Sequence, residues 1–197
     1  LRVVRPAEVM LKKPNSLGGG VERFWVRHLL GYKRAIPIPR KNRNPVGWAG
    51  NNGWAMQQAF KLQVAALAEG SHVVILDSKN HFIGPVDATD FVSVDGRARS
   101  RKSLPSAKLR SWIVASFQAL GLTPPREGAL APPVTTPVVV STQNMKRALN
   151  DIEDRVGPLE NYFARGSRLA SEFMLLYASI DQGKGLWWGE HTDDLAP

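Results

Sequence analysis

The stretch His72-Val-Val-Ile-Leu-Asp-Ser-Lys-Asn-His-Phe82, HVVILDSKNHF, runs four apolar residues, three of them β-branched, straight into a polar cluster that begins at Asp77. A short, continuous apolar run of this kind reads as a strand covered on both faces, as parallel strands are. Immediately before it, residues 53–69, GWAMQQAFKLQVAALAE, read as a helix. Asn51 or Asn52 can cap its start and Gly70 can end it. A helix feeding a buried strand is an αβ unit. The fold expected is therefore α/β, with a mostly parallel sheet flanked by helices. In open sheets of that type ligands sit beyond the carboxyl ends of the strands. Asp77 stands at such an end, where an aspartate either faces a ligand cleft or merely caps a turn.

Outward from this unit the chain divides by its punctuation. Residues 1–50 are interrupted by Pro6, Pro14, Gly18 to Gly20, Pro37, Pro39 and Pro45. Within them Arg2–Val4 reads as a strand and Val21–Tyr32 is compatible with a helix. The prolines make Lys33–Arg43 a basic loop. Beyond Asp77, Phe82–Val86 and Phe91–Val94 read as short strands, and Arg97–Lys102 as a solvated basic run. Ser106–Leu120 carries apolar residues near helical spacing. Pro137–Val140 reads as a strand from which Ser141 or Thr142 caps a helix to about Val156. Ser171–Ile180 is another helix, and residues 183–197 read as a flexible tail. The opening Leu-Arg-Val-Val reads as the end of a strand, so the expectation is a single domain over 1–197 that lacks its first strand or strands.

Composition narrows the partners. The chain has 197 residues, 43% of them hydrophobic, enough for one core. A formal charge of +9 and a pI near 10.2 favour anionic partners: nucleotides, nucleic acid or acidic lipid. There is no cysteine, which excludes disulfides and thiolate chemistry. No apolar run approaches the roughly 20 residues of a membrane helix. The longest, Trp112–Leu122, is interrupted by Ser116 and Gln118.

Four blocks in order carry a resemblance: GWAMQQAFKL, VVILDSKNHFIGPV, TTPVVVSTQNMKRALNDIE and SEFMLLYASI. Together they are similar to a bacterial glycosyltransferase-like family of unknown function with a presumed GT-A, Rossmann-like fold. The resemblance spans about residues 50–180. It implies transfer of a sugar from a nucleotide-sugar donor to a hydroxyl of a polysaccharide, a lipid-linked or another acceptor. It also implies a cytoplasmic enzyme of envelope polysaccharide assembly, with peripheral contact to acidic lipid at the inner membrane face.

The residues implied follow from the blocks. Trp54, Gln58 and Lys61 fall on one helix face and would border the donor, with Gln57 the competitor of Gln58, since adjacent glutamines cannot share a face. Asp77 takes the first acidic place of an Asp-x-Asp turn, beside Lys79 and Asn80. Glu172 would be the general base. Thr135, Thr136 and Pro137 would line the acceptor side. In the family's fold a divalent cation, Mn or Mg, bridges the donor diphosphate. Here Asp77 and a late histidine, His191, are its candidate ligands, but Lys79 replaces the second carboxylate and a protonated lysine binds no metal. Metal dependence is therefore expected to be weak or absent. Against an enzyme stands a non-catalytic basic module binding nucleic acid or an anionic surface. No helix-turn-helix, RRM or zinc-finger pattern supports the nucleic-acid version.

Overall fold

A computed structural model describes residues 53–77, 80–164 and 170–193. The expected strand at Arg2–Val4, the helix at Val21–Tyr32, the basic loop Lys33–Arg43 and the caps Asn51 and Asn52 lie outside the described residues. The architecture is mixed α/β. Helix α1, Gly53–Gln63, continues as a 3-10 turn over Val64–Leu67 and leads into β1, His72–Ile75. A loop-rich lobe follows, with β2 at Ala98–Arg99, and then α2 at Ala107–Ala119. Strand β3, Val138–Ser141, enters α3, Thr142–Val156. Helices α4, Leu159–Ala164, α5, Glu172–Asp181, and α6, Trp187–Glu190, precede a last short strand β4, His191–Thr192.

Local chemistry accounts for the helix starts. Ser106, Ser141 and Ser171 each sit in extended backbone, and each hydroxyl accepts a main-chain N–H three residues on. Helix α3 buries Thr142, Met145, Ala148, Leu149 and Ile152, a stripe at helical spacing. Helix α5 differs, because every residue from Glu172 to Asp181 is buried. It is the central helix, packed against α1, α2, α3 and α6. It ends at Gln182 in the left-handed region, followed by Gly183 at φ +71°, where a Cβ would come 2.8 Å from the Thr123 carbonyl oxygen. Only glycine fits that approach.

The sheet departs from expectation. β1 pairs with β3 antiparallel, with His72 opposite Ser141 and Ile75 opposite Val138. β2 and β4 form a separate parallel pair. The mostly parallel sheet is thus replaced by two small sheets of opposite kind. The chain leaves β1, traverses the lobe and α2, and re-enters at the same end, so that β3 runs backwards along β1. The apolar run of β1 is also covered on one side only: Ile75 is buried, whereas Val74 and Leu76 are exposed. Phe82–Val86 forms no strand, because Gly84-Pro85 breaks it and Asp87 opens a capped 3-10 turn at Ala88–Asp90. Of Phe91–Val94 only Val92 bridges, to Ala98.

Of the expected flexible tail, residues 187–192 form α6 and β4. Trp187 and His191 are buried and stack at 3.7 Å with planes 5° apart. Asp181 accepts the Trp187 N–H at 3.3 Å and ties the turn back to α5. His191 Nε2 lies 3.2 Å from the Val139 carbonyl, which joins the C-terminal strand to β3. Aromatic area, invisible to a reading that looked for periodicity, fixes this segment.

Because α5 has no solvent face, truncations within it leave cavities. Met174→Ala, at a fully buried position of α5, is expected to cost about 2–5 kcal/mol in chemical denaturation, whereas Val94→Ala in the exposed lobe should stay within about 0.5 kcal/mol.

Candidate functional site

The site is built from the ends of three elements. Lys61 lies in the last turn of α1, Asp77 just past β1, and Glu172 is the first residue of α5. The Lys61 ammonium donates to Asp77 Oδ1 at 2.6 Å and to Glu172 Oε1 at 3.0 Å. It also stands 4.9 Å over the Phe173 ring, a cation–π contact that stabilises the charge where water is scarce. One turn earlier on α1, the Gln58 Oε1 accepts the Glu172 main-chain N–H at 3.0 Å. Helix α1 therefore grips Glu172 twice, by side chain and by backbone.

Asp77 is held from its other side. Its N–H donates to Asn80 Oδ1 at 2.9 Å, and the Asn80 N–H returns to the Asp77 carbonyl at 2.8 Å. The Thr136 hydroxyl donates to the same Asn80 oxygen. Six residues from the four sequence blocks, Gln58, Lys61, Asp77, Asn80, Thr136 and Glu172, thus form one connected set.

Burial sets the electrostatics. Glu172 is 3% exposed. Desolvation pushes its carboxyl above the ordinary value, with the Lys61 charge and hydrogen bond pulling the other way. For Lys61, burial works against the ammonium, but the Glu172 charge and the hydrogen bonds from Asp77 and Glu172 outweigh it, and its pKa rises. The two shifts pull in opposite senses on the pair. The resolution is stoichiometric: one ammonium is shared by two carboxylates, so Lys61 stays charged while Glu172 receives only part of the compensation its burial requires. Removing one member of such a buried set costs about 3–5 kcal/mol, mostly from the charge left behind.

Not every expected residue joins. Gln57 is exposed, so Gln58 is the glutamine that faces the site. Thr135 is exposed and makes no hydrogen bond among the described residues. Lys79 and the Trp54 side chain lie outside the described residues. His191, the other candidate metal ligand, is buried with its Nδ1 2.9 Å from the Trp187 carbonyl and its Nε2 3.2 Å from the Val139 carbonyl. Among the described residues no cluster of three or more His, Cys, Asp or Glu could hold a metal ion. The basic run is partly engaged within its own surroundings: Arg97 pairs with Asp95 at 2.6 Å, and Lys102 lies 3.5 Å from Asp193. The sequence reading missed Phe173 as the floor under Lys61. Its signal was the aromatic residue directly after Glu172 in the SEF block.

A family model matches residues 36–191. The chain belongs to DUF6492, a family of unknown function. Every member of the connected set lies inside the matched DUF6492 segment. No curated protein and no solved structure matches the chain. Among the described residues no helix is long and apolar enough to cross a membrane.

The raised Glu172 carboxyl has a definite pH signature. A group whose folded pKa lies above its unfolded value contributes stability that is complete below the unfolded value and is lost as pH rises through the folded one. Stability of the wild type relative to Glu172→Gln should therefore fall as pH rises above about 4.5, the ordinary value of a glutamate. Urea unfolding of both proteins from pH 4 to pH 8 checks the sign. A carbon NMR titration of the Glu172 carboxyl should show its midpoint above 4.5.

Proposed function

We propose that this DUF6492 member is a nucleotide-sugar-dependent glycosyltransferase with a GT-A-like arrangement around its donor site. The observation that supports the reading is the convergence of Lys61, Asp77 and Glu172. Three blocks far apart in sequence, each singled out by the glycosyltransferase resemblance, bring their polar residues onto one ammonium. A carboxylate held at a helix start, buried and raised above its ordinary value, is shifted in the direction that favours a general base.

In this reading Glu172 takes the proton from the acceptor hydroxyl. The freed oxygen attacks the anomeric carbon of the donor sugar. The bond from that carbon to the diphosphate oxygen breaks, and the electron pair leaves with the nucleoside diphosphate. Asp77, steadied by Asn80, holds hydroxyls of the donor ribose or sugar. Thr136 lies on the acceptor side with Thr135 at its rim. Lys61 keeps both carboxylates in place. The acceptor is a polysaccharide, lipid-linked or other hydroxyl, and the enzyme works in the cytoplasm, at the inner face of the membrane where the acceptor is lipid-borne.

Isothermal titration with UDP, GDP and CDP is expected to show one preferred nucleotide. With the matching sugar donor, Glu172→Gln should lower turnover by about 10²–10⁴-fold while donor affinity is nearly kept. Turnover like the wild type would remove Glu172 from the mechanism. Absence of any nucleotide preference, with salt-steep binding of random oligonucleotides, would instead favour the basic module.

A further inference from the structure

Nucleotide-sugar chemistry on a GT-A-like fold implies a divalent cation at the Asp77 turn, and the donor set present there does not fit one. Mg²⁺ requires about six oxygen ligands at close to 2.0–2.1 Å in near-octahedral order. Among the described residues Asp77 and Glu172 are the carboxylates on Lys61, and both already turn an oxygen to it, at 2.6 and 3.0 Å. The buried His191 has its two ring nitrogens facing main-chain carbonyls, at 2.9 and 3.2 Å. An ion between the two carboxylates would have to displace an ammonium that is 12% exposed and seated against the Phe173 ring.

We propose that Lys61 is the built-in cation of this site: its ammonium, held between Asp77 and Glu172 over Phe173, takes the place of a divalent ion, and the native protein binds none there. Several features make this a built arrangement. Lys61 projects from the rigid end of α1, and Gln58, on the same face, fixes the backbone of Glu172 so that the carboxylate meets the ammonium. The Asn80 turn fixes Asp77 from the opposite side. A univalent cation on a covalent tether needs no ligand shell to be completed by the substrate. It therefore holds the two carboxylates together before any ligand arrives. The inference rests on the glycosyl-transfer reading only for what the cation replaces, and ion binding can be measured without any sugar donor.

The test titrates Mn²⁺ into the full chain, following the free-ion signal by electron paramagnetic resonance. Wild type and Lys61→Arg should show no saturable site that depends on Asp77. Lys61→Ala, its fold checked by circular dichroism, should acquire one, and Lys61→Ala/Asp77→Asn should lose it again. Saturable Mn²⁺ binding to the wild type that disappears in Asp77→Asn would overturn the proposal. So would a folded Lys61→Ala that gains no site, since the ammonium would then not be what occupies the place of the ion. Should Lys61→Ala fail to fold, the comparison of wild type with Asp77→Asn decides by itself. A protein that transfers no sugar but shows this pattern refutes the glycosyl-transfer reading and leaves the Lys61 assignment standing.

Discussion

One ammonium shared by two carboxylates ties three elements of this molecule together. Lys61 reaches Asp77 across 16 residues of sequence and Glu172 across 111. Each contact joins elements distant in sequence: the end of α1, the exit of β1 and the start of the central helix. The arrangement is costly to assemble, because desolvating three charges is repaid only if the geometry is close and the remaining lone pairs are met. The short distances, the aromatic floor of Phe173 and the Gln58 bond to the Glu172 backbone are how that repayment is made.

The same constraint explains why the site tolerates a strand pairing unlike the one its sequence suggests. What the shared ammonium requires is that β1 deliver Asp77 to the place where the end of α1 meets the start of α5. Pairing β1 with an antiparallel β3 does so, and it places Thr136, just ahead of β3, against Asn80. A parallel neighbour would have ended at this place; the antiparallel one begins there, so the residues entering β3 share the site with those leaving β1.

What could be read in advance divides by range of interaction. Helices α2, α3 and α5 were legible because their starts depend on a serine and its own next turn. Asp77 was legible as the polar end of an apolar strand, whereas Gln58, Lys61 and Glu172 were singled out through the resemblance of their blocks. The antiparallel pairing was not, since strand direction is decided by how the chain returns after sixty residues, which no local pattern records. Nor was the placement of residues 187–192: Trp187 and His191 stack locally, but the contact of His191 with Val139 joins points 52 residues apart. The role of Lys61 was half legible. Its spacing put it on the site face, but that it would neutralise two acids at once depends on where α5 begins in space.

The contrast between α5 and the lobe after Asp77 has a consequence for motion. Every residue of α5 is buried, whereas residues 80 to 90 are all exposed and are held largely by turns among themselves. Amide protons of α5 therefore exchange with solvent only when the whole molecule opens, while those of the lobe exchange through small local openings. The connected set straddles that boundary. Glu172 and Lys61 stand on the slow side, and Asp77, Asn80 and Thr136 on the fast one. A molecule bound against Asp77 or Asn80 would slow exchange in the lobe and leave α5 unchanged, so its binding can be read from the lobe's amides alone.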